Sequence, residues 1–435
     1  MRDDDGVPSG RLGRFVKLAG VGARASMDML VSRGSDKVAE RTAEVLGNLR
    51  GLAAKLGQTA SYVDGFVPET HRPVYEKALR ALRTATPHSS VDAIRSLVEA
   101  ELGAPIERSF RAWSDEPFAS ASIGQVHRAE LPDGQAVAVK VQHPGIDRAI
   151  ESDLANLGFL ESFVGALGPR ALESGRVLDE VRARFREELD YRLEAERQEQ
   201  FRALHAGDPR IVIPRVMRER SARRVLTMEL VQGATLEEAA LATPELRRSY
   251  AETLWRFVFK GNLVGGMFNA DPHPGNYLFQ PDGSVIFLDF GCVQPIEPGR
   301  LEAARDLHRA ALARDEAAFR RAAATILQSH GGSYEAAATA YSRRCFEPVF
   351  ASPFHITSEF ATSLVREIKS VKDQVFAKDG SFVQLPSGML FMNRLQFGFY
   401  SVLARLDVTV DYAEVERRFM AEAGIAERAA SSAAR

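Results

Sequence analysis

The sequence predicts an α+β protein: a helical N-terminal extension, a small β-rich lobe carrying a long helix, and a mostly helical second lobe. Three observations predict it. Apolar residues recur at three- and four-residue spacings from Phe15 to Ala104; Gly134 to Val141 alternate and are β-branched; helical spacing returns from Thr243 onward. With 435 residues, 45% of them hydrophobic and 26% charged, the chain can bury enough core for two or three domains.

The elements follow in order. Residues 1–13 are polar, hold three consecutive aspartates and lack the apolar stretch of a secretory signal, so they read as a disordered lead-in. Residues 14–105 form the helical extension, with turns at Pro68, Pro73 and Pro87. Residues 106–231 form the small lobe. It opens on a hairpin ending in the strand Gly134–Val141, continues through helices over Ile146–Leu167 and Arg176–His205, and closes on strands at Ile211–Pro214 and Arg224–Val231 that lead to a hinge at Gly233. Residues 232–425 form the second lobe: a helix over Thr243–Val264, short strands and loops over Met267–Asp289, then helices; residues 426–435 are a flexible Ala/Ser-rich tail. There is no internal repeat.

Composition excludes several function classes. Lys plus Arg (56) nearly balances Asp plus Glu (58), so no global field attracts nucleic acid. Cys292 and Cys345 are too few for a disulfide framework or a four-ligand zinc site and fit a reducing, cytoplasmic setting. No uncharged apolar run reaches the roughly 18 residues a membrane-spanning helix needs, which leaves peripheral attachment at the inner face of a membrane open.

The strongest chemical signal is Asp271-Pro-His-Pro-Gly-Asn276, followed by the strand Val285–Leu288 and then Asp289-Phe-Gly291. Phosphoryl transfer needs a carboxylate near the attacking oxygen and oxygen ligands on Mg²⁺; Asp271 suits the first role, Asn276 and Asp289 the second. The five-residue step from Asp271 to Asn276 matches the catalytic loop of kinases, with Asn269-Ala270 where His-Arg would stand. An ordinary loop and turn is the bland reading, and the ordered set of three elements outweighs it. Upstream, Lys140 ends the apolar run Val137-Ala-Val, where a snorkelling lysine competes with a phosphate-binding one. The loop before it, Ala119, Ser120, Ala121, Ser122, Ile123, Gly124, Gln125 and Val126, has small residues that let backbone approach phosphates. Glu180, Glu187 and Glu188 are the candidate partners of Lys140, with Glu180 favoured as the earliest on its helix. Glu188 and Asp190 are read as two apart on that helix: a solvated acidic face, or one metal-binding and one orienting carboxylate. Met228, Glu229 and Val231, before the hinge, are placed among the nucleotide contacts. His273 is read as a phosphate or metal contact or as a loop-stabilising imidazole, and Cys292 first as a small core residue and second as a nucleotide-proximal thiol. The stripe Met389, Phe391, Met392, Phe397, Phe399 and Tyr400 reads first as core and second as a groove for an isoprenoid tail.

Lys55-Leu-Gly-Gln58, Ser122-Ile-Gly-Gln125, Val137-Ala-Val-Lys140, Glu188-Leu-Asp190, Asp271-Pro-His-Pro-Gly-Asn276 and Asp289-Phe-Gly291, in this order over Leu46–Gly291, resemble the UbiB/ADCK atypical kinase-like family. The resemblance implies a bilobal protein-kinase-like fold whose N-terminal helices lie across the site a peptide substrate would use. It implies that Lys55 and Gln58 approach the nucleotide pocket and the Glu188/Asp190 pair. It also implies ATP or ADP with Mg²⁺ as cofactors, ATPase or small-molecule phosphotransferase activity supporting quinone or isoprenoid-lipid metabolism, and a lipid-biosynthetic protein complex as partner. The chain departs from the family at Leu79–Pro87, where the usual Gln-Asp is lost, and in having no terminal hydrophobic helices. An aminoglycoside- or choline-type kinase shares the Asp-to-Asn loop but not the Lys-Leu-Gly-Gln signature; a catalytically silent, nucleotide-switched adaptor is the reading from another class.

Overall fold

The computed structural model describes residues 89–121, 123–151, 182–183, 185–329, 331–375 and 389–427. They fall into two compact units, the first ending at Tyr191 and taking in Glu219–Thr227, the second formed by Arg192–Arg218 and everything from Met228 onward.

The first unit begins with α1 (Val91–Leu102), where Ser90 caps the start by accepting from the Ala93 amide and Gly103, at φ 69°, closes the end. Its Ile94, Leu97 and Val98 share one buried face. After α2 (Ile106–Ser109) come β1 (Ala112–Trp113), β2 (Ala119–Ser120), β3 (Gly124–Glu130) and β4 (Ala136–Gln142). The β3–β4 hairpin is antiparallel from Gly124↔Gln142 to Glu130↔Ala136, turning at Gly134 with φ 89°. Alternation buries Val137, Val139 and Val141 on one face and leaves Lys140 half-buried on the other. The chain passes through α3 (Tyr191–Leu204) and β5 (Ile211–Val212) before β6 (Val225–Glu229) completes the sheet in the order β1–β3–β4–β6, with β2 paired to β3.

One expected helix is two. Arg186, Glu187 and Glu188 are helical, Leu189 turns, Asp190 leaves the helix, and α3 starts at Tyr191. The Asp190 amide makes a tight bond to Glu187 O (3.0 Å), and the Tyr191 amide donates to Arg223 O (2.8 Å) rather than back along its own helix. Glu188 and Asp190 therefore flank a turn instead of sitting on one continuous helix.

In the second unit β5 runs parallel to β9 (Val285–Phe287), which pairs with β8 (Tyr277–Phe279), while β7 (Met267–Asn269) pairs with β10 (Val293–Pro295). Short α4 (Leu236–Ala239) precedes α5 (Pro244–Leu263), which Thr243 caps and Pro244 opens. The rest is α6 (Pro298–Leu312), α7 (Glu316–Leu327), α8 (Gly332–Cys345), α9 (Glu347–Phe350), β11 (Phe354–His355), α10 (Ser358–Val375), α11 (Met389–Leu406), β12 (Thr409–Val410) and α12 (Tyr412–Glu422). No described helix is long and apolar enough to cross a membrane. Phe399 and Tyr400 are core: both lie about Trp255, and the Tyr400 hydroxyl donates to Cys345 O (2.7 Å). The side chains of Met389, Phe391, Met392 and Phe397 lie outside the described residues. Cys292 is buried in the same core, as expected.

Two buried polar features carry stability consequences. Glu416, 0% exposed, accepts from Trp255 Nε1 (3.0 Å) and meets His308 Nδ1 at 2.7 Å, so one carboxylate pins α12 to α5 and α6. Its removal strands an indole N–H and an imidazole in the core; Glu416→Ala is expected to cost about 3–5 kcal/mol, read as a lower urea midpoint at unchanged slope. A loss below about 1 kcal/mol would mean that water replaces the carboxylate. The second is His205, buried against Phe201 and Phe257, with neither ring nitrogen hydrogen-bonded to a described residue. Burial, then Lys260 and Arg256, lower its pKa from 6.5 to about 3. Between these values the unfolded chain takes up a proton that the folded chain refuses, so this residue makes stability fall with acidity by about 1.4 kcal/mol per pH unit. His205→Leu is expected to flatten urea-measured stability below pH 6.5; an identical acid slope would rule this out.

Candidate functional site

The chemistry-bearing residues gather in two clusters, one in each unit. In the first, the Ala/Ser segment is a tight hairpin: Ala119 pairs with Val126, Ser120 with Gln125, and the Ala121 amide donates to Gly124 O (2.8 Å). Ile123 is buried and its carbonyl accepts from His143 N; Ser122 lies outside the described residues. A Cβ on Gly124 would come within 2.3 Å of Val141 O, so glycine here lets β3 close on β4. Val126 and Lys140 are register partners on the less buried face.

Gln125 turns to the other face. The Ser114 carbonyl can only accept, so His127 Nδ1 carries the proton (2.8 Å), and His127 Nε2 then accepts from the Gln125 amide nitrogen (2.8 Å). Burial lowers the His127 pKa and favours this neutral ring, which stacks on Trp113. The Gln125 amide group is thus engaged inside the sheet.

The lysine strand is stitched to the Glu-Leu-Asp turn. Gln142, fully buried, donates to Glu188 O (3.5 Å), and Lys140 Nζ lies 5.0 Å from the centre of the Tyr191 ring. Leu189 is buried, Glu188 and Asp190 are half-buried on either side of it, and this turn meets the lysine strand through Gln142 and Tyr191. Lys55, Gln58 and Glu180 lie outside the described residues.

The second cluster is built on the β7–β10 ribbon. Asn276 Nδ2 donates to Asp271 O (3.0 Å) and to Asp271 Oδ2 (3.2 Å), which turns Asn276 Oδ1 away from Asp271. His273 Nδ1 accepts from the Gly275 amide (3.1 Å) and caps the turn Pro274–Asn276, the loop-stabilising role. Asp289 Oδ1 accepts from the Gly291 amide (2.9 Å), and Arg197 binds Gly291 O (3.2 Å). Phe290 is buried between Phe201 of α3 and Phe257 of α5. Before Gly233, Met228 is buried and its sulfur accepts from Gln198 (3.8 Å); the Glu229 carboxylate is held by Arg215; Val231 is half-buried.

Sequence reasoning missed three residues. Glu194, 4% exposed, lies on the buried stripe of α3 with Ala195, Gln198 and Phe201, and its Oε2 is 3.7 Å from where a Cβ on Gly291 would stand. Asn269 accepts from the Asp271 amide (3.1 Å) and donates to Asp289 O (2.6 Å), spanning both loops. Gly398 of α11 abuts Pro272, where an added Cβ would sit 2.4 Å from Pro272 Cγ. Gly398→Ala must displace a rigid ring and is expected to cost about 1–3 kcal/mol, with faster hydrogen exchange at Asp271, His273 and Asn276 than in α5. Gly299→Ala, whose Cβ would meet nothing within 4 Å, is the neutral comparison. Equal behaviour of the two variants would show that Pro272 yields freely.

The arrangement has counterparts. The chain is 36% identical to an uncharacterised protein of Synechocystis over 61% of its length and 40% of that protein's. It is 32% identical to the atypical kinase COQ8B, mitochondrial, of Danio rerio (66% of this chain, 46% of that one) and 31% identical to the atypical kinase COQ8, mitochondrial, of Saccharomyces cerevisiae (66% and 60%). It therefore spans about two-fifths to three-fifths of the length of these relatives. The Mycobacterium tuberculosis protein Rv3197, solved in complex with erythromycin, superposes with a TM-score of 0.61 at 27% identity, covering 94% of this chain and all of that one. The model of the ABC1 atypical kinase-like domain matches residues 81–323, more than half of the 435 residues. The chain belongs to the ABC1 atypical kinase-like domain family, and its α+β fold is kinase-like.

Proposed function

We propose that this protein binds ATP or ADP with Mg²⁺ and works as an atypical ATPase or phosphotransferase, serving quinone or isoprenoid-lipid metabolism. One observation carries the reading: Asn276 spends its amide nitrogen on Asp271, so its oxygen is turned outward as a ligand, while Asn269 ties Asp289 to the same loop. The donor set suits Mg²⁺. Among the described residues no group of three or more His, Cys, Asp or Glu forms a cage, and Mg²⁺ takes one or two protein oxygens and completes its shell with phosphate and water. Asn276 and Asp289 would hold the ion, which would supply neutralisation of the charge that develops on the phosphate.

The chain's own groups take the remaining roles. Asp271, with Oδ2 oriented by Asn276, accepts the proton of the attacking hydroxyl or water. Lys140 and the backbone amides of the hairpin from Ala119 to Val126 engage phosphates, and Glu188 and Asp190 bound that cluster. Glu194, buried on α3 beside Gly291, is our choice for a further carboxylate of the second cluster, and the partner of Lys140 is sought among Glu180, Glu187 and Glu188. Lys55 and Gln58 restrain transfer to peptide in this reading. The erythromycin complex of the similar mycobacterial protein favours a second reading, a small-molecule substrate or ligand in place of an isoprenoid.

The test is a thermal shift of purified protein with Mg-ATP, Mg-ADP and each nucleotide in EDTA, beside Asp289→Asn. A ligand at about 100 times its Kd adds about 2.7 kcal/mol to stability, so a shift of several degrees is expected for wild type with Mg²⁺ and a clearly smaller one for the variant. No shift with any nucleotide, in folded protein, sinks the reading in favour of a silent adaptor. A shift with erythromycin alone selects the second reading.

A further inference from the structure

The structure points to Asn269 as a residue whose one side chain addresses both carboxylate-bearing loops. Its Oδ1 accepts from the Asp271 amide at 3.1 Å and its Nδ2 donates to the Asp289 carbonyl at 2.6 Å. An acceptor and a donor at fixed separation on one plane is what an amide supplies; a carboxylate accepts but cannot donate, and an apolar side chain does neither.

The surrounding backbone does not need that side chain to hold its place. Asn269 pairs with Val293 in the β7–β10 ribbon, and the Ala270 amide donates to Cys292 O (2.8 Å), so the two strands are joined by main chain alone. Between the Leu288 amide, which donates to Asn276 O (3.0 Å), and Cys292 O, residues 289–291 are held by side chains: Arg197 at Gly291 O, the buried Phe290, and Asn269 at the Asp289 carbonyl, next to the Asp289 carboxylate. The carboxylate is fixed to its own loop through the Gly291 amide, so a rotation of the Asp289 peptide carries the whole metal-binding turn with it. Asn269 Nδ2 grips that peptide at its carbonyl, while its Oδ1 grips the loop whose Asn276 supplies the second oxygen.

We propose that Asn269 is a positioning residue that sets the separation of the Asp289 and Asn276 oxygens, and so sets how much Mg²⁺ the protein needs to hold a nucleotide. This rests on the Mg-nucleotide reading above. It differs from a structural role in one respect: the metal requirement moves while metal-independent binding of the nucleotide stays.

The experiment titrates MgCl₂ at fixed ATP and reads the melting midpoint for wild type, Asn269→Asp and Asn269→Gln. Asn269→Asp keeps the shape and the acceptor, but replaces the donor facing the Asp289 carbonyl with a repelling oxygen. Its ligand-free midpoint is expected to fall with the lost bond and its half-saturating Mg²⁺ to rise about tenfold, while the ATP shift in EDTA, measured from its own ligand-free midpoint, stays close to wild type. Asn269→Gln keeps both functions on a longer arm and is expected to fall between the two. A Mg²⁺ dependence in Asn269→Asp within twofold of wild type overturns the inference and leaves the nucleotide reading standing. So does a variant in which the EDTA shift and the Mg²⁺ dependence fall together. Absence of a Mg²⁺-dependent shift in wild type overturns both. Should Asn269→Asp fail to fold, Asn269→Gln decides: an unaltered Mg²⁺ dependence counts against the proposal and a raised one for it.

Discussion

A loop that presents carboxylates outward cannot satisfy its own backbone through regular pairing, and in the second unit two amide side chains do that work. Asn276 holds the Asp271 carbonyl and carboxylate, while Asn269 holds the Asp271 amide and the Asp289 carbonyl. Each bond alone contributes on the order of 1 kcal/mol. Together they convert three short, irregular stretches into one rigid arrangement, and everything proposed for Asp271, Asn276 and Asp289 depends on it. The β7–β10 ribbon, the buried Phe290 and the cap from His273 provide the frame around these four bonds.

The first unit solves a different problem by shape. Its small-residue segment is a two-strand hairpin pressed against the lysine strand, and the closeness of that fit is set by Gly124, which has no Cβ to meet Val141 O. The neutral His127, wedged between Trp113 and Gln125, fills the far face of the sheet with satisfied polar groups. Lys140 lies on the opposite, less buried face, beside Tyr191 and the turn at Glu188–Asp190. A pliant loop here would have to be ordered by its ligand; a paired one has met most of that conformational cost on folding.

What was legible in the sequence was whatever rests on local periodicity and caps. The alternation of Val137, Val139 and Val141 gave the strand and the outward Lys140, and Thr243-Pro244 marked the start of α5 almost to the residue. The break at Leu189–Asp190 was not legible, because the Glu/Arg helix pattern runs through it and the bond that ends the helix comes from Arg223, far away in sequence. Phe399 and Tyr400 look like any aromatic stripe until Trp255 is seen between them and the rest of the core. Asn269 was visible only as a missing His-Arg, since sequence gives no hint that one amide would reach a carbonyl twenty residues on. Glu194 was hidden by the abundance of neighbouring glutamates, which helical spacing alone does not tell apart.

The contact between Gly398 and Pro272 has a bearing on what counts as the smallest working piece of this protein. The stretch by which its kinship is recognised ends at residue 323, yet the loop holding Asp271 leans on a helix that begins at Met389. Ancestry and mechanics therefore have different borders here. A fragment cut to the family boundaries would carry every recognisable motif of the second unit and lack the wall behind its central loop, so its silence in an assay would say nothing about the chemistry of the whole.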